Sequence, residues 1–136
     1  MKRREFQDGS QLVEFALVLP VLLLVLFGAI DFSLAFYDKA VLTNASREGA
    51  RAGIVATVPK LTEAQIETVA LNYCTSHLVN FSGASAPTAE VTGAAGASGA
   101  PLKVDVRYYY HYVMLARLVP FLSSLNLTST TVMRME

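Results

Sequence analysis

The sequence predicts an α+β chain anchored in a membrane: a long N-terminal helix whose first half is transmembrane, then a second helix and a small antiparallel sheet. Three observations carry this prediction. Of 136 residues, 53% are hydrophobic, and the excess is concentrated between Phe15 and Ile30 rather than spread along the chain. From Phe32 to Val58 there is no proline, and apolar or small residues recur at helical spacing. Towards the C-terminus, "LKVDVRYYYHYV" and "TSTTVMRM" alternate with the period of two that belongs to strands.

The N-terminus has three parts. A hydrophilic leader, "MKRREFQDG", precedes the apolar run, and a polar continuation opens at Asp31. The run from Phe15 to Ile30 gives about 24 Å of helix at 1.5 Å per residue, short of a hydrocarbon core of roughly 30 Å. Extending it to residues 12–37 makes a span feasible, with Glu14 near one interface and Asp31 near the other. Lys2, Arg3 and Arg4 lie before the run and Asp31 and Asp38 after it, so the positive-inside bias places the leader in the cytoplasm and the bulk of the chain outside. "SLA" at Ser33 to Ala35 offers the competing reading of a signal peptide removed after Ala35, but Asp31 and Glu14 fit that layout poorly. Pro20 supplies no amide to the carbonyl of Ala16 and is a candidate kink, or a proline of the kind that membrane helices tolerate.

Beyond the span, the helix is expected to run on, from about Ser10 to Thr57, until Pro59 stops it. Ala45, Gly49 and Gly53 form a small-residue stripe four apart that admits close approach of another backbone, either a neighbouring molecule's or this domain's own. Thr62 and Gln65 stand at capping-box spacing and open a second, amphipathic helix with Ile66, Val69, Ala70, Tyr73 and His77 on one face. Residues 82–101 are dominated by Gly, Ala, Ser, Thr and Pro and read as a flexible loop. In the first strand, Leu102, Val104, Val106, Tyr108, Tyr110 and Tyr112 share one face. "MLARLVPFLSSLNL", broken by Pro120, reads as an apolar connection to the last strand.

The chemistry inventory argues against an enzyme: the chain has no nucleophile elbow and no cluster of carboxylates, and its single cysteine has no convincing base. Cys74 and His77 stand at i,i+3, but with His111 they make at most three metal ligands where a structural zinc wants four. A small buried cysteine beside a histidine on the helix surface is the simpler reading, and no metal or other cofactor is expected. The formal net charge is zero, with no basic run beyond the leader, so nothing favours nucleic acid.

A basic leader ending in Gly9, the bond to Ser10, a glutamate at Glu14, then Phe15 and an apolar helix resemble the processing signal of type IV pilin-like proteins. The segments "GSQLVEFALVLPVLLLVLFGAIDF" and "LTNASREGARAG" resemble the TadE family, minor pilin-like proteins of the tight-adherence (Flp pilus) system. The closing "TTVMRME" is similar to the end of that family. The resemblance implies a bacterial inner-membrane protein, with its N-terminus cytoplasmic and its C-terminal domain outside, which can enter a pilus. It implies a cytoplasmic leader of residues 1–9 removed by a prepilin peptidase, a long helix over 10–58, and a small pilin-like extracytoplasmic domain over 59–136. It also implies partners: the peptidase, other pilins and pilin-like subunits, an assembly platform, a secretion ATPase and an outer-membrane channel. The alternative is a single-span anchored protein whose outer domain binds some partner without forming filaments. Cleavage takes three of eleven basic and two of eleven acidic side chains, leaving a balance of −1. It also creates an α-amine at Ser10, about 6 Å along a helix from Glu14. Glycine at the cut offers an unhindered, extended backbone.

Overall fold

In the computed structural model, residues 3–56, 58–79, 85–119 and 123–136 are described, with the backbone alone for residues 3–8 and Leu118. A first helix, α1 (Arg3–Ile54), is followed by α2 (Glu63–His77), β1 (Thr88–Thr92), β2 (Pro101–His111), a single turn α3 (Leu115–Leu118) and β3 (Ser124–Arg134). The strands form an antiparallel meander in the order β1-β2-β3, with Val91 opposite Val104 and Val106 opposite Ser129. The α+β architecture read from the sequence is therefore the observed one. The C-terminal part of α1 and the whole of α2 cover one face of the sheet.

The face they cover is the one the alternation marks. Leu102, Val104, Val106, Tyr108, Tyr110 and Tyr112 are all buried, since each second residue of a strand turns to the same side. They meet Leu42, Ala45 and Ala50 of α1 and Ile66, Ala70 and Cys74 of α2 in one core. The opposite face is solvated, with Lys103 to Asp105 at 2.6 Å and Arg107 to Glu90 at 3.3 Å. Surface ion pairs of this kind contribute about 0 to 1 kcal/mol each. α2 starts where the sequence places it: the Thr62 hydroxyl accepts from the Gln65 amide while the Gln65 side chain accepts from the Thr62 amide.

Four expectations are corrected. The stretch read as a flexible loop contains β1, whose Val91 is buried, and its end is tied down by Gly99 N–H to Met135 O and Met135 N–H to Ala100 O, both 2.9 Å. Gly93 and Gly99 take positive φ there, at 86° and 82°, which is how so short a segment reverses direction. Residues 82–84 of that stretch, like Pro120, lie outside the described residues. The apolar connection after β2 holds α3 and the opening of β3, which begins at Ser124. α1 stops at Ile54, before the proline and before Thr57, which is itself outside the described residues; the carbonyl of Ile54 accepts from the amide of Glu136 at 3.3 Å. On α2, Cys74 rather than His77 completes the buried stripe: His77 is exposed, stacked on Tyr73 at 4.3 Å, with Nδ1 2.9 Å from the Tyr73 carbonyl oxygen.

Candidate functional site

From Gly9 to Ile30, α1 projects away from the folded domain. None of these residues is buried, and Leu12, Val13, Phe15, Leu17, Val21 and Leu22 are each more than half exposed. A helix of this length and composition can cross a membrane. The bilayer would replace water around those side chains, and its hydrocarbon asks only that every backbone group be satisfied within the helix. α1 is unbroken through Pro20, which removes one of those bonds.

Gly9 and Ser10 are exposed on this helix, and a side chain added at Gly9 would meet nothing within 4 Å. Their bond is helical in the uncut chain. "RREFQ" consists of residues compatible with a helix, and one glycine weakens the helix by about 1 kcal/mol without ending it. A glycine there makes local unwinding easier than at any neighbouring position. Glu14 and Phe15 lie one turn further on, both exposed, with Gln11 and Val18 on the same side as Glu14. Among the described residues no cation pairs with Glu14.

The free helix ends at Asp31. Its carboxylate is fully buried and accepts three backbone amides at the start of α3: Val113 at 3.3 Å, Met114 at 3.0 Å and Leu115 at 2.7 Å. Two turns later, Asp38 is also buried, and its Oδ1 accepts from the Val79 amide at 3.1 Å. Burial pushes the Asp38 carboxyl above the ordinary carboxylate range, only partly offset by the Val79 amide. The two aspartates clasp the domain onto the helix at two heights. Between Asp38 and the helix end, Ser46 adds a polar contact to β3, 2.8 Å from Thr131 Oγ1 and 3.2 Å from Ser129 Oγ. The last part of the stretch expected to span the membrane, residues 31–37, is thus partly covered by the domain. Asp31 and Ala35 are already packed in the domain, and the stretch without a buried residue is Gly9–Ile30, about 33 Å long, with Gly28 and Ile30 beside the start of α3.

Ala45, Gly49 and Gly53 face inward, towards α2 and β2. A Cβ on Gly49 would stand 3.1 Å from the Ala70 Cβ; one on Gly53 would stand 2.5 Å from Leu102 Cδ2 and 2.6 Å from Ile66 Cδ1. Within this chain the stripe is occupied by the chain's own domain. It shares no surface with Gly9, Ser10, Glu14, Phe15 and Pro20, which all lie on the free helix. The clasp of Asp31 and Asp38 was missed by reasoning from sequence, which placed Asp31 at a membrane boundary. The available signal was two carboxylates seven residues apart, on one side of an otherwise apolar helical stripe. Ala35 is 3% exposed and Asp31 holds α3, so removal after Ala35 would strip the fold of both. Cys74 is buried, which raises its thiol to a pKa of about 11, while His77 faces solvent. Among the described residues no group of three or more His, Cys, Asp or Glu side chains is gathered as a metal site would need.

Residues 9–51 match the family model described as TadE-like protein, the family that the same stretch resembles by its motifs. The match begins at Gly9 and ends within the domain-packed part of α1, so it covers the free helix and both aspartates of the clasp, but not the amides they hold. No curated protein matches the chain, and no solved structure matches it either.

Proposed function

We propose, from the TadE-like match over residues 9–51, that this chain is a structural protein associated with a tight-adherence pilus, anchored in a membrane by its N-terminal helix. The observation that carries the proposal is that the matched segment contains a continuous apolar helix, free of the domain up to Ile30 and clasped by it from Asp31 onward. A filament subunit needs this division: one part to pack among helices and one part to remain folded wherever the helix goes.

In this reading the chain is a minor pilin-like subunit of the pilus or of its assembly machine, and it supports surface attachment. It is made in the bacterial inner membrane with the leader in the cytoplasm and the domain outside. A prepilin peptidase cuts between Gly9 and Ser10. The new α-amine has an ordinary pKa of about 8, so it is charged at neutral pH, and it lies within reach of Glu14 on the same helix or on a neighbour's. A carboxylate in the hydrocarbon costs on the order of 2.5 to 3.5 kcal/mol at the centre and less near an interface; an ammonium partner offsets that cost. Glu14 then serves to align the subunit with its neighbour while Phe15 and the apolar helix pack beside it, and Pro20 allows local adjustment when the helix leaves the bilayer. The partners are other pilins and pilin-like subunits, the assembly platform and the secretion ATPase.

Glu14→Gln tests this. It removes the charge while keeping the shape, and should reduce both incorporation into the sheared surface fraction and crosslinking to other pilin-like subunits, with membrane insertion unchanged. Undiminished incorporation and crosslinking would contradict the role given to Glu14. Recovery only in the membrane, with no pilin-like contacts in the unsubstituted protein, would instead identify an anchored binding protein.

A further inference from the structure

Phe32 and Phe36 stand immediately above the free helix and remain 50% and 73% exposed, although the domain has begun to pack on the other side of the same turns. With Lys39 and with Leu125 and Leu127 of β3 they line an open groove of about 290 Å³, predominantly apolar. Tyr37, 48% exposed, continues the aromatic belt around the helix. The Lys39 ammonium donates to the carbonyl of Thr128, one of its three donors, and so stands at the upper rim.

Because α1 is unbroken, the height of this groove over a bilayer follows from the helix rise. With Ile30 at the hydrocarbon boundary, Phe32 lies about 3 Å above it, Phe36 about 9 Å and Lys39 about 14 Å. Helical side chains lean towards the N-terminus, which lowers both rings, and tilt lowers them further. The headgroup layer is about 5 to 8 Å thick on each side. Counting from Glu14 at the opposite boundary instead, a core of about 30 Å takes about 20 residues and ends near Leu34, which sets the aromatics deeper still. The second placement puts Phe32 and Phe36 where aromatic side chains are favoured in membrane proteins and Lys39 about 8 Å above the boundary, at the level of phosphate, whereas the first leaves Lys39 above the headgroup layer.

Resting on the reading that α1 spans a membrane, we propose that the groove between Phe36 and β3 is a phospholipid-binding foot. Its apolar walls take the upper acyl and glycerol region, and the remaining donors of Lys39 meet the phosphate. The folded domain then sits on the bilayer surface rather than standing off it.

The chain has no tryptophan, so single indoles report position without background. Full-length Leu22→Trp, Phe36→Trp and Val132→Trp are each reconstituted at low density into vesicles of phosphatidylethanolamine and phosphatidylglycerol. All three sites are more than half exposed, so the fold should tolerate them. One vesicle set carries bromine on the acyl chains, another a nitroxide on the headgroup. Position 22 should lose emission to the bromines, position 36 to the headgroup nitroxide, and position 132, near the far end of the domain, to neither. If position 22 is quenched while position 36 emits like position 132, the foot is overturned and the anchor stands. If position 36 is shielded from the nitroxide even at the lowest protein density, a protein partner rather than lipid fills the groove and the proposal falls. If position 22 is unquenched, the anchor reading fails and takes the foot with it.

Discussion

Asp31 is the residue on which the junction between helix and domain turns. Its carboxylate accepts three amides, that of Leu115 buried and those of Val113 and Met114 part-buried, so Asp31→Ala should cost on the order of 3 kcal/mol in denaturation of the detergent-solubilised chain. Asp31→Asn keeps one acceptor oxygen and should cost about 1 to 2 kcal/mol, since hydrogen bonds to a charged acceptor are the stronger ones. Asp38 behaves differently. Its pKa is raised in the folded state, so the folded chain holds that proton over a window in which the unfolded chain has released it. The group's contribution to stability therefore falls as pH rises from about 3.8 through the elevated folded value, and is regained on acidification. Asp38→Asn retains an acceptor for Val79 and removes that titration. Relative to the unsubstituted chain it should be more stable at pH 7 than at pH 4, and an equal difference at both would contradict the assignment. Cys74, with its thiol raised to about 11, should resist maleimide at pH 8 until the domain is unfolded.

At the scale of elements, the stripe of α1 separates two uses of small residues. Gly53→Ala puts a methyl against Leu102 and Ile66 at less than van der Waals distance, so it should destabilise the domain by about 1 to 3 kcal/mol. Gly49→Ala sets a methyl 3.1 Å from the Ala70 Cβ and in ordinary contact with Ile66 O and Val104 Cγ1, both 3.5 Å away, and the gain in helix propensity of about 1 kcal/mol should leave it near neutral. Loss of subunit contacts in both variants without loss of stability would mean that the stripe serves a neighbour instead. β2 was legible because helices cover one of its faces and solvent the other, which writes an alternation into the residues. β1 was not: of its five residues only Val91 is buried, and its pairing with Val104 is visible only once the sheet exists. The aspartate clasp was hidden for the same reason. Asp31 finds its amides 82 to 84 residues away and Asp38 finds Val79 at a separation of 41, so the local pattern marks two carboxylates on an apolar stripe but not the amides they hold. The capping box of α2, closed over three residues, was readable in full.

Seen whole, the molecule is a free apolar helix joined without interruption to a two-layer domain, and the site proposed for processing lies at the far end from the core. The motif around Gly9 and Glu14 could be read from sequence because it is contiguous. What the fold adds is that the domain begins to pack on the apolar helix at Asp31, and that the leader is helical from Arg3 onward. If Glu14 acquires its partner only when the chain is cut, the N-terminus of the mature protein is the most direct test. Mass spectrometry of the protein purified from its native membrane should find a chain beginning at Ser10. A chain retaining Met1, or one beginning at Phe36, would contradict it.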